Sequence, residues 1–212
     1  MTHIDKHPFW GNNSPLSNLS FVPFIVCASM RFSIALVSTA ALLWTYLLTD
    51  FSLFIAKALV PRTFKSIIPV FLSSFWTLVF ALLLSMFSPP LFYELLLPLA
   101  LVPVVFMISG LDSHIETDSF KDAMDKAVLY ALILGAIVIL LSLIREPFGF
   151  GSLSLPTREG ITEFLTSDIA SDWAIQSFAA TSGGLIFLGL AAGFYRIFKE
   201  MYLHYRSEKE NQ

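Results

Sequence analysis

The sequence predicts an all-α integral membrane protein: six transmembrane helices forming two inverted three-helix repeats, with broken first and fourth helices. Three observations carry this prediction. Of 212 residues, 56% are apolar and 14% charged, and mean hydropathy is +0.73, whereas a soluble domain carries about 25% charged residues. The apolar residues also fall into blocks long enough to cross a hydrocarbon core of about 30 Å. Finally, proline interrupts the first and fourth blocks, while the two blocks after each are smoother. An odd number of spans per half makes the two copies run oppositely through the bilayer, with their broken helices meeting near its middle. Broken backbone at that depth must be buried in protein or line a cavity, so the prolines point to a central site; membrane helices also tolerate proline without such a role.

The elements follow in chain order. Residues 1–15 form a polar N-terminal segment with no continuous apolar run before a small-residue cleavage site, and no cleaved signal peptide is expected. The membrane domain covers residues 16–198. Its first repeat, 16–87, opens with Leu16–Met30, a short stretch holding Pro23 that as a helix would reach only about 22 Å. Phe32–Ala56 and Ile67–Phe87 complete it, the latter ending at Ser88-Pro89-Pro90. The second repeat, 91–198, opens with Leu91–Ser109, which carries Pro98 and Pro103. Ala127–Ile144 and a last span from about Gln176 to Phe198 follow, separated by an outer loop at 145–172. In that loop Ile161, Phe164, Leu165, Ile169 and Trp173 recur at helical spacing, which predicts a short surface helix, an interfacial anchor or a lid. Residues 199–212 form a polar tail.

Lysine and arginine placement sets the orientation. With six spans, one side holds Lys6, Lys57, Arg62, Lys65, Lys121, Lys126, Arg196, Lys199, Arg206 and Lys209, and the other only Arg31, Arg145 and Arg158. Both termini are therefore expected in the cytoplasm. No basic arm or aromatic–basic stripe suggests nucleic acid; the lipid bilayer is the expected surrounding.

Ionisable groups at membrane depth are functional candidates because burying one there is costly. Asp50 and Lys57 lie seven residues apart on one helix face, where a salt bridge or snorkelling explains them and an ion path is the alternative. Glu94, a few residues into the fourth span, stands either at the mouth of an ion path or as an interfacial carboxylate. Arg145 and Glu146 end the fifth span beside Gly149 and Gly151, which suggests an ion pair fixing a turn that requires glycine. Asp112, His114, Glu116 and Asp118 alternate like cation ligands but lack the glycine and closing glutamate of an EF-hand, and read as a solvated acidic loop. Cys27 is the single cysteine, which excludes an internal disulfide framework and a self-contained multi-cysteine metal site. The chain contains no phosphate-binding or dinucleotide-binding glycine fingerprint.

Several strings together resemble one family. Asn12-Asn13-Ser14-Pro15-Leu16 with Phe21-Val22-Pro23-Phe24-Ile25-Val26 is similar to an opening found among the small membrane subunits of the Rnf/Nqr family. The branch concerned opens with asparagine-asparagine-proline and then cysteine-proline-leucine-leucine. Ile144-Arg145-Glu146-Pro147-Phe148-Gly149-Phe150-Gly151-Ser152-Leu153 resembles the same branch's arginine–glutamate motif followed by glycine-x-glycine-threonine-leucine. Gly183-Gly184-Leu185-Ile186-Phe187-Leu188-Gly189-Leu190 resembles its glycine-rich final helix. The resemblance implies two inverted three-helix repeats in a bacterial cytoplasmic (inner) membrane, paired with a homologous membrane subunit of opposite orientation. It implies further subunits of a complex coupling electron transfer to Na+ or H+ movement, and a [2Fe–2S] cluster shared with the partner through cysteine thiolates.

The chain departs from the family at those ligands. Val22 precedes Pro23, the fourth-span position reads Val102-Pro103-Val104-Val105, and Cys27 lies about one turn beyond the first ligand position with no counterpart in the second half. Cys27 is thus a cluster-ligand candidate only by its helix, and otherwise a small packing thiol. The Ser-Gly-Ala-Thr string by which other members of the family carry covalent flavin is absent, so no cofactor is predicted. The expected role is a membrane subunit that is not catalytic alone and serves as scaffold or ion path; a small secondary transporter and a non-redox structural subunit are the alternatives.

Overall fold

A computed structural model describes residues 19–56, 67–109, 120–166 and 176–210. Along the chain lie a 3-10 turn at Leu19–Phe21, α1 (Val22–Ala28), α2 (Phe32–Ala56), α3 (Ile67–Phe87), α4 (Pro89–Ile108) and α5 (Phe120–Phe150). The strands β1 (Ser152–Thr157) and β2 (Gly160–Thr166), the one-turn helix α6 (Gln176–Ala179) and α7 (Thr181–Glu210) complete it. Five helices are long and apolar enough to cross a membrane: α2, α3, α4, α5 from Met124, and α7 as far as Tyr202. The protein is a mostly helical, multi-pass membrane protein.

The first apolar stretch contributes α1, seven residues long, which begins at a proline position that needs no backbone donor. Phe21, at its foot, packs its ring 6.0 Å from that of Tyr130, about a third of the way along α5, while the Val26 carbonyl reaches Arg145 near the end of α5. α1 therefore lies beside one half of α5, with Phe24, Ile25, Val26 and Ala28 buried and Pro23 exposed.

α2 is the central helix. It runs antiparallel to α5, since Phe32 meets Glu146, Thr39 meets Gly135 and the Tyr46 ring stacks on Tyr130. An added Cβ on Gly135 would overlap the Thr39 methyl, so glycine sets how closely these two helices approach. Tyr46 also meets Phe106 of α4 edge-on at 5.0 Å. α3 and α4 form a tight hairpin joined at Ser88, whose hydroxyl accepts from the Leu91 amide while Pro89 and Pro90 fill positions where no amide is needed. The outer faces of α3 and α7 present Phe71, Phe75, Leu82, Met86, Ile186, Leu190 and Phe194 outward, as lipid-facing helices do.

The structure moves the expected helix breaks. α4 is one continuous helix through both Pro98 and Pro103. A proline removes one amide and leaves the carbonyl four residues back without its helical partner, a loss that neighbouring helices in a bilayer can absorb without a break. The chain breaks instead at Ser29–Arg31, between α1 and α2, and at Ala180, between α6 and α7, neither of which is a proline.

The outer loop is also different from the expectation. α5 continues through Arg145, Glu146 and Gly149 to Phe150, so these residues stand in a helix and not in a turn. The surface helix expected around Ile161, Phe164 and Leu165 is instead strand β2, paired antiparallel with β1 from Ser152↔Thr166 to Thr157↔Gly160, with a bulge between Leu153 and Ser154. Ile169 and Trp173 lie outside the described residues, as do Lys57 and the Asp112–Asp118 run. Backbone pairing within the hairpin satisfies amides that a helix on this surface would satisfy internally, and the alternation Ser152-Leu153-Ser154-Leu155 matches the two-residue repeat of a strand. β1 packs on the ends of α2 and α5, and β2 on α4. The hairpin therefore covers one end of the bundle.

Candidate functional site

A helix end leaves its last carbonyls without intrahelical partners, and it carries partial negative charge. Two such ends, those of α1 and α6, converge on Arg145. Its Nη1 donates to the Val26 carbonyl at 2.9 Å and its Nε to that of Phe178 at 2.9 Å. Nη2 donates to Ala179 at 3.2 Å and Ala180 at 3.0 Å. Arg145 is 1% exposed. A planar cation with several fixed donors suits this position, because one ammonium could not reach four carbonyls on two helices.

Two glycines make room for the clasp. A Cβ on Gly184, in the first turn of α7, would sit 2.8 Å from Arg145 Cζ, and one on Gly149 would sit 2.8 Å from the Ala179 nitrogen. Gly151 adopts a left-handed φ of 67° where α5 turns into β1, a conformation that favours glycine, and its amide returns to the Pro147 carbonyl at 3.0 Å.

Glu146 serves the opposite polarity. The first amides of α2 have no helical acceptor, and Glu146 Oε2 accepts from the Phe32 amide at 2.7 Å. The next amide, of Ser33, donates to Ser154 Oγ at 3.3 Å, and that hydroxyl donates to Ser33 Oγ at 3.0 Å. Arg145 and Glu146, expected to pair with each other, are thus sent to different partners: cation to helix C-termini, carboxylate to a helix N-terminus. Glu146 is fully buried, and its Oε1 has no hydrogen-bond partner among the described residues, nor has the Ser152 hydroxyl.

Beside the clasp lies a cleft of about 160 Å³ lined by Cys27, Arg31, Ile34, Glu94, Pro98 and Thr181 among others. It brings together Cys27 and Glu94, which the sequence places in different spans. Arg31 ties it to the hairpin through Glu163 at 3.7 Å and covers the Phe150 ring at 4.8 Å. Asp50 lies elsewhere, buried eighteen residues along α2 from Phe32, about 27 Å away at 1.5 Å per residue. Pro23 and Pro103 belong to neither break.

The chain's own residues do not fit an iron–sulfur cluster. Val102 is fully buried in the apolar core, Cys27 is the only thiol, and no group of three or more His, Cys, Asp or Glu gathers among the described residues. Sequence reasoning missed Arg31 at the cleft and the buried hydroxyls of α2; the available signal for the latter was Ser38, Thr45, Thr49 and Ser52 recurring at intervals of seven, four and three. No protein-family model matches the chain, and no curated protein matches it.

Proposed function

We propose that this chain is a membrane subunit of an Rnf/Nqr-like electron-transport complex that couples redox chemistry to Na+ or H+ translocation. It is not catalytic alone, and it acts as scaffold or ion path beside a homologous subunit of opposite orientation, in a bacterial cytoplasmic membrane with both termini inside. One observation carries the reading. The three strings that resemble the family, far apart in sequence, meet at one residue: Val26 from the first gives a carbonyl to Arg145 of the second, and Gly184 of the third makes room for its guanidinium. Such convergence is what a shared architecture requires of motifs that are individually short.

The test is purification of the tagged chain from native membranes in mild detergent, followed by mass spectrometry. A second, homologous six-span subunit is the expected companion, and its consistent absence overturns the proposal. Iron and acid-labile sulfide in the same preparation, with and without Cys27→Ser, report whether Cys27 ligates anything; no change in iron is expected.

The cleft favours a second reading, a small secondary transporter, because a carboxylate beside two converging helix ends also suits substrate binding. Substrate uptake by proteoliposomes containing this chain alone would support it over the first.

A further inference from the structure

We propose that α2 carries a proton-conducting line joining two buried carboxylates, Asp50 toward one end and Glu146 at the other. The inference rests on the ion-translocation reading and deepens it by naming the ion and the route. Asp50 is 5% exposed and Glu146 fully buried. Their positions along α2 differ by about 27 Å at 1.5 Å per residue, close to a hydrocarbon thickness of about 30 Å.

Between them α2 buries Ser33, Ser38, Thr39, Thr45 and Thr49. Ser38, Thr45 and Thr49 share one face of the helix. α3 extends the row, because Thr77 Oγ1 lies 3.1 Å from Thr45 Oγ1. Thr39 and Thr77 return their hydroxyls to their own helix backbones at 2.8 Å. Ser38 Oγ and Thr49 Oγ1 make no hydrogen bond among the described residues, although both residues are fully buried, and Glu146 Oε1 shares that condition. An unsatisfied buried hydroxyl costs about 1–3 kcal/mol, so packing alone gives no reason to keep Ser38 and Thr49 where alanine and valine would serve.

The geometry favours a proton over a metal cation. A hard cation needs about six oxygens around one point, and this row offers them one or two at a time. Glu146 also adjoins the amide end of α2, which repels a metal ion, whereas a transferred proton leaves the carboxyl neutral. Asp50 gains a proton and becomes the acid. Its O–H bond then breaks as the neighbouring oxygen forms one, and that oxygen releases its own hydrogen to the next acceptor. The last transfer forms the O–H bond on Glu146 Oε1 and leaves Asp50 a carboxylate. One proton has moved and no electron. Intervals such as Thr39 to Thr45, about 9 Å along the axis, exceed hydrogen-bond reach and need files of two or more bridging waters.

The experiment reconstitutes the full chain, with any subunits that co-purify, into liposomes holding a pH-sensitive dye and imposes a potassium diffusion potential. Expected is potential-driven acidification, reduced at least tenfold in Asp50→Asn, in Glu146→Gln and in Thr45→Val, which keeps the side-chain shape. Thermal melting of each variant separates lost conduction from lost fold, and Thr45→Val retains the test should either carboxylate variant fail to fold. Absence of acidification, equal rates in folded variants, or radioactive Na+ carried in place of protons overturns the line. None of these outcomes depends on which proteins co-purify, so failure of the line and failure of the subunit reading remain distinguishable.

Discussion

Arg145 illustrates how one residue can close two chain interruptions. Its four carbonyl partners lie where the chain is interrupted after α1 and after α6, and of them the Ala180 carbonyl also accepts from the Gly184 amide. Arg145→Ala is expected to cost about 3 kcal/mol or more, because it removes several hydrogen bonds from a charged donor, each worth about 1.5–3 kcal/mol, visible as loss of the folded species in detergent melting. Arg145→Lys keeps the charge but loses the fork, and should recover only part of that stability. The glycines of α7 give a sharper contrast. Gly184→Ala places a carbon 2.8 Å from the guanidinium and should destabilise by about 1–3 kcal/mol. Gly193→Ala, with nothing within 4 Å, should melt like the parent. The adjacency of Arg145 and Glu146 was plain in the sequence, but their partners lie more than thirty residues away in the chain, and no local pattern reveals them.

At the scale of elements, the hairpin caps a helix that does not cap itself. The buried residues of β1 are Ser152 and Ser154, while Leu155 faces out, the reverse of a strand lying on an apolar core. The surface beneath it is the amide end of α2, which needs acceptors. Ser154→Ala should cost about 1 kcal/mol, as loss of a helix N-cap does, measured by melting, whereas Leu155→Ser should have little effect. The helical spacing read at Ile161, Phe164 and Leu165 competed with this and lost, because three apolar residues are too few to fix a period. The alternation at 152–155 was the signal available.

For the whole molecule, sidedness follows if the lysine and arginine bias governs insertion. A cysteine introduced at exposed Glu159 in a Cys27→Ser background should react with a membrane-impermeant maleimide in intact cells, and a C-terminal tag should stay protected. Labelling of the tag in place of the hairpin would invert the orientation. By itself the sequence determined what depends on local composition: the membrane class, the apolar stretches that became α2 to α5 and α7, and the Ser88-Pro89-Pro90 corner, since transfer to lipid and helix starts are properties of contiguous residues. Only the tertiary structure decided where the helices break. Prolines at 98 and 103 were absorbed within α4, while Ser29–Arg31 and Ala180 stay open because a distant arginine, glutamate and serine satisfy the backbone groups exposed there.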